Sequence, residues 1–244
     1  MKSFLKLLTV QFKLFYREPI AFFFTLVFPT LLLVLFGIIY GNEPAFGTPF
    51  GYIDGSIAGL SGIIIGTVGL VSIPVATATQ REQRVLRRLK ATPMNPRTYL
   101  AADVVINYVI ALVGLVGLIV IARLVFDLRF EGNWLAIWAA FTLAAIAFFS
   151  VGYFLASLAP TSRIATVVGQ VLLFPMMFLS GATIPLQVMP DGVQQVAKWM
   201  PLTHVVGLLQ DLWFGRGWNV TSLIVLAALI LLGVTLSSRS FRWE

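Results

Sequence analysis

The chain has no cysteine and a single histidine, His204, among its 244 residues. The first absence excludes a disulfide framework and thiolate metal sites. The second excludes a metal cluster built on imidazoles. Charge is scarce as well. Only 11% of residues are charged against 59% hydrophobic, where a soluble domain averages about 25% charged. So few polar residues cannot cover a water-soluble surface, and the solvent must be lipid. No G-x-x-x-x-G-K-[ST] run occurs, nor even a Gly-Lys pair, so the chain has no such loop to cradle nucleotide phosphates. The centres of its apolar runs hold no carboxylate and no lysine. That argues against a self-powered, ion-coupled carrier, which needs ionisable groups inside the bilayer. With one histidine and no nucleophile beside it, a membrane enzyme ranks last among the function classes. No internal repeat or low-complexity tail is evident.

What is present is a set of long apolar runs. A bilayer core roughly 30 Å thick needs about 20 apolar residues in helix. Segments 20–40, 55–79, 99–122, 133–157, 164–183 and 219–236 meet or approach that length. Each is expected to be helical, because lipid offers no partner to a free backbone N–H or C=O. The expectation is an all-α membrane protein, with one transmembrane domain over residues 1–244. Thirteen of the 17 Lys and Arg residues fall before the first span, in the second and fourth loops, and in the tail. Arg123, Arg129, Lys198 and Arg216 fall on the other side. Basic residues favour the cytoplasmic side, so both termini are expected there, in a cell membrane of the bacterial inner-membrane kind. Because the cations flank the spans, the net charge of +7 is not a nucleic-acid footprint.

Residues 1–18 read as an interfacial helix. At 100° per residue, Lys2, Lys6, Lys13 and Arg17 lie within about 60° of one another, with Phe4, Leu8, Phe12 and Phe15 opposite. Such a helix lies flat among lipid headgroups and bends into the first span at Glu18-Pro19. The first apolar run is too long for a cleavable signal peptide. Pro29, Pro74 and Pro175 fall inside spans and kink them, as hinges or as packing features. Gly55, Gly59, Gly62, Gly66 and Gly69 line the second span and allow close helix approach, within the chain or between copies. The last outer loop, 184–218, is expected to hold two short amphipathic helices, one after Pro190-Asp191 and one from Pro201 to about Phe214. The second would lie re-entrant or flat at the outer interface, with Trp199, Trp213 and Trp218 at headgroup depth. Asp54 and Asp103 read as interfacial caps at span ends. Asn107 and Gln170 are the polar residues deepest in lipid.

The most informative stretch is QREQRVLRRLKAT, within an expected cytoplasmic helix over residues 80–93. At helical spacing Val85, Leu86 and Leu89 share one face. Arg81, Arg84, Arg87, Arg88 and Lys90 spread over the opposite half-turn, and Pro93 and Pro96 end the helix. A solvated loop explains the charges but not the apolar stripe. A helix on the membrane surface and a helix docked in a protein groove each explain both.

The run REQRVLRRLKATPMNPRTYLAADV resembles the intracellular loop of ABC type-2 permeases, the membrane subunits of exporters. Glu82, Leu86, Leu89, Thr92 and Pro93 occupy the places of that family's acidic residue, Leu pair and Thr-Pro. Arg84-Val85 stands where Gly-Thr is commoner. IPLQVMP and MPLTH match the Pro-rich last outer loop in kind and position, and the drug-export branch typified by daunorubicin exporters is the nearest look-alike. The resemblance implies a half-transporter. Two such subunits, alike or paralogous, would pair and bind two cytoplasmic ATPases, which hold the ATP and Mg; this chain would hold no cofactor. The ATPase would dock on Arg81, Glu82, Val85, Leu86, Arg88 and Leu89. Spans two and five would line the pathway through Thr67, Val71, Phe174, Met177 and Phe178, with spans one and five at the dimer contact. The implied cargo is a small hydrophobic or amphipathic compound. A polysaccharide or lipid-linked glycan exporter, and a non-transporting immunity or sensor protein, are the alternatives.

Overall fold

The computed structural model describes residues 9, 11–13, 15–16, 19–44, 49–84 and 96–240. Its regular elements are helices. We number them α1 (residues 19–40), α2 (Tyr52–Glu82), α3 (Pro96–Phe126), α4 (Trp134–Leu158), α5 (Ser162–Leu179), α6 (Asp191–Ala197), α7 (Pro201–Trp213) and α8 (Val220–Ser240). Six of them, α1 to α5 and α8, are long and apolar enough to cross a membrane. The described residues among 9–16 are helical too. They are tied to α3, where Gln11 Nε2 donates to Asp103 Oδ1 at 3.2 Å.

α2 is the central helix. In its most apolar window 89% of residues are buried, against 22% in α5 and 17% in α8. Helices in lipid associate by close packing rather than by the hydrophobic effect, and α2 carries the small residues that permit it. A Cβ on Gly152 of α4 would fall on the Gly69 carbonyl, and one on Gly169 of α5 on the Leu70 carbonyl. Glycine at those two positions lets α4 and α5 press against the backbone of α2. The glycines of α2 likewise face neighbours in the chain itself: Gly59 meets Ala182, Gly66 meets Leu173, and Gly69 meets Phe148.

Prolines shape α1 and α2. α1 has a π-helical turn at Phe23–Val27 just before Pro29, and α2 has one at Val68–Ser72 just before Pro74. A proline lacks the N–H that an α-helix needs. The preceding turn widens instead, with Phe28 N–H reaching the Phe23 carbonyl and Ile73 N–H reaching that of Val68.

Several local expectations change on folding. α5 ends at Leu179, four residues short of 183, because the chain turns at Ser180 and Gly181, the latter at φ +84. The Tyr52 hydroxyl holds that turn by donating to the Thr183 carbonyl at 2.9 Å. The two short helices of the last loop form as α6 and α7, but α7 packs inward. Trp213 is 1% exposed and sits against Phe130 and Trp134, whereas Trp199 and Trp218 are exposed. Its Nε1 donates to the Arg129 carbonyl at 3.1 Å, so the polar handle that would have sought the headgroups is satisfied inside. Asp103 is buried too, its carboxylate held by side chains from other segments. Tyr153 donates to its Oδ2 at 2.5 Å, and Tyr99, next along α3, donates to Gln80 Oε1.

Asp54 does act as a cap, and a deep one, being 0% exposed. Its carboxylate accepts from Gly51 N at 2.8 Å, Asn42 Nδ2 at 2.9 Å and Arg129 N at 2.8 Å. It thereby knots the α1–α2 loop, the start of α2 and the α3–α4 loop at one end of the bundle.

Candidate functional site

A groove of about 110 Å³ lies where α1, α2 and α5 meet, beside both π-helical turns. Thr67 and Val71 come from α2, Phe174 and Met177 from α5. These are four of the five residues expected along a pathway. Phe178 is not among them: it is 51% exposed, on another face of α5. The groove also holds residues not expected from sequence, including Phe24 and Phe28 of α1, Ser72 of α2, and Thr166 and Leu173 of α5. Phe24 and Phe28 are four apart in an aromatic run, a spacing that puts both on one helix face. That was the available signal. Gln170, one of the two polar residues expected deepest in lipid, also lines the groove.

One polar group of the groove differs from those elsewhere in the bundle. Hydroxyls in the spans commonly close onto their own helix: Ser61 onto the Ile57 carbonyl, Thr79 onto Val75, Thr142 onto Trp138 and Thr166 onto Ser162. Ser72 Oγ does not. It is a buried atom without a partner, in the turn widened ahead of Pro74. The groove therefore has an apolar wall of phenylalanine, leucine and methionine, with the unpartnered Ser72 hydroxyl buried beside it. An unpartnered polar group costs free energy in lipid unless something supplies its hydrogen bond. Met and Phe adapt their surfaces to varied apolar shapes.

A larger cavity, about 510 Å³, opens at the Asp54 end of the bundle between α2, α7 and the turn after α5. Tyr52, Ser56, Gln210, Phe214 and Arg216 are among its lining residues. Arg216 stacks over Phe214, its Cζ 5.2 Å from the ring centre, and reaches Asp211 at 3.7 Å. About two turns of α2 separate Ser56 of this cavity from Ile63 of the groove.

At the other end, the residues expected to dock an ATPase divide into two groups. Val85, Leu86, Arg88 and Leu89 lie outside the described residues, as does most of the helix expected over 80–93. Gln80, Arg81 and Glu82 form the last turn of α2, and Arg84 at φ 56 turns the chain away. Arg81 and Glu82 face the junction between α4 and α5. Arg81 Nη1 donates to the Ala159 carbonyl at 3.1 Å and Nη2 to that of Ala156 at 3.0 Å. The Glu82 carboxylate accepts from Ser162 N at 3.1 Å and Ser162 Oγ at 2.9 Å.

A family model described as ABC-2 type transporter matches residues 2–214. The chain is 24% identical over 239 residues to the daunorubicin resistance ABC transporter permease protein DrrB1 of Streptomyces coeruleorubidus, covering 93% of this chain and 82% of that protein. It is 25% identical over 162 residues to the inner membrane transport permease YhhJ of Escherichia coli (strain K12), covering 64% of this chain and 43% of the relative. To nodulation protein J of Rhizobium leguminosarum bv. viciae it is 34% identical over 87 residues, 34% of each chain. The chain thus spans less than half the length of these last two relatives.

Proposed function

Starting from the fact that this chain belongs to the ABC-2 type transporter family, a family of membrane subunits rather than ATPases, we propose that it is the permease of an ATP-driven exporter for a small apolar or amphipathic compound. The observation that carries the substrate class is the groove between α1, α2 and α5. Its Phe and Met walls suit an apolar body, and Thr67, Thr166 and Gln170 are the polar side chains along the same lining. A polymer such as a glycan would need a wider passage with room for many hydroxyls. The permease work of the DrrB1 relative on daunorubicin resistance points the same way.

In this reading the 85–93 segment docks a separate ATPase through Val85, Leu86, Arg88 and Leu89. A second copy or paralogue completes the pathway, and the bundle end bearing Arg81 faces the cytoplasm with both termini. The chain's own work is to hold the cargo between α2 and α5 and to let those helices shift when the docked motor moves. The test is reconstitution in proteoliposomes with an ABC ATPase from the same genome that co-purifies with the chain, with rhodamine 6G as cargo. Val71→Trp crowds the groove and is expected to lower ATP-dependent dye movement about tenfold, the scale on which a binding pocket discriminates shape. Phe178→Trp, off the groove, leaves dye movement unchanged. Equal transport by both variants and the parent refutes the groove as the pathway. Leu89→Asp is expected to abolish association with the ATPase.

A further inference from the structure

We infer that Arg81 and Glu82 act within the chain, as the joint through which the last turn of α2 positions α5. The inference rests on the exporter reading for its functional meaning and on geometry for its mechanics. The two residues are consecutive, yet they grip the ends of two different helices. Arg81 binds carbonyls at the C-terminus of α4, and Glu82 binds the first N–H and the first hydroxyl of α5. Each ion sits at the helix end whose dipole favours it, a cation at carbonyls and an anion at N–H groups. Just above them Ala78 packs with Ala159 and Ala165 in a small core of its own, with Val75 against it. The last turns of α2 are thus bolted to the α4–α5 junction.

α5 needs such a fixing point. Only 22% of its most apolar window is buried, so its hold within this chain rests on the one face turned to α2. Further along, α5 crosses the backbone of α2 at Gly169, against Leu70 and Val71, and meets Gly66 through Leu173. Between Ser162 and Gly169 lies Thr166, and beyond them Gln170, Phe174 and Met177, all lining the groove. A displacement of the last turn of α2 therefore reaches the groove wall by way of Ser162. On this view Glu82 positions α5 and is not a contact to the ATPase.

Two measurements test it. The first needs no partner: amide exchange of residues 163–170 in the chain held in lipid nanodiscs. Glu82→Ala is expected to speed exchange there about tenfold, as local opening becomes easier, and Arg81→Met acts in the same direction. Ser162→Ala speeds exchange less, Ser162→Thr restores it, and adding Ser162→Ala to Glu82→Ala changes nothing further, because the two act through one contact. Glu82→Gln keeps an acceptor and a donor for Ser162 and is expected to rescue. The second measurement is dye moved per ATP hydrolysed in the reconstituted complex. Glu82→Ala lowers it about fivefold, a coupling change of ordinary size, while affinity for the ATPase stays within about twofold of the parent. Additive effects of Glu82→Ala and Ser162→Ala on exchange overturn the joint. So does Glu82→Ala weakening ATPase binding with Glu82→Gln failing to rescue it, since Glu82 is then an intermolecular ion-pair partner. If the parent complex moves no dye, the exporter reading fails and the exchange measurement still decides the joint.

Discussion

Asp54→Ala should be among the most damaging single changes to this fold away from the groove. The carboxylate is fully buried and accepts three hydrogen bonds, from Gly51 N, Asn42 Nδ2 and Arg129 N. A hydrogen bond to a charged group contributes about 1.5–3 kcal/mol net, and a buried donor left bare costs about 1–3 kcal/mol. The three losses are unequal. Gly51 N is buried and has no substitute acceptor in view. Asn42 Nδ2 keeps its second bond, to the Phe126 carbonyl at 2.9 Å, and Arg129 N is only partly buried. Some loss is offset because alanine no longer has to desolvate a carboxylate. The net expectation is a destabilisation of about 3 kcal/mol, roughly a hundredfold in the folding equilibrium.

Asp54→Asn sharpens the point. Oδ1 receives both Asn42 and Arg129, whereas Oδ2 receives Gly51 alone. An asparagine with its oxygen in the Oδ1 place loses one partner and sets its amide against Gly51 N–H, for a cost of about 1–2 kcal/mol. The assay is unfolding in mixed micelles titrated with a denaturing detergent, followed by tryptophan fluorescence. Trp134 and Trp213 sit beside the knot and report on it. Equal stability of the two variants, or a loss under about 0.5 kcal/mol for Asp54→Ala, would show that the knot does not hold that end of the bundle.

Four further outcomes are expected from the same assay. Gly169→Ala places a methyl group on the Leu70 backbone and should cost about 1–3 kcal/mol by overpacking. Gly117→Ala, with nothing within 4 Å of the added carbon, should stabilise by about 0.5–1 kcal/mol through helix propensity. Trp213→Phe removes the bond to the Arg129 carbonyl and should cost about 1 kcal/mol, and Trp213→Ala about 3–5 kcal/mol.

The amino-acid sequence by itself determined the membrane class, the six spans to within a few residues, and the two short helices that begin at Asp191 and Pro201. Transfer into lipid adds up residue by residue along the chain, and a backbone in lipid must satisfy itself within one segment, so both properties are written locally. Thr67, Val71, Phe174 and Met177 were legible as groove residues through family resemblance, not through hydropathy. Tertiary structure alone decided that α1 completes the groove, that Phe178 turns away from it, and that Trp213 points inward. It also decided that Asp103 meets Tyr153 fifty residues on and that Glu82 reaches Ser162 eighty residues on. Those pairings depend on which helix faces can approach closely, and glycine-sized gaps such as the one at Gly169 set that approach. Hydropathy is blind to it, because a small residue and its large neighbour can be equally at home in lipid while only one lets two backbones touch.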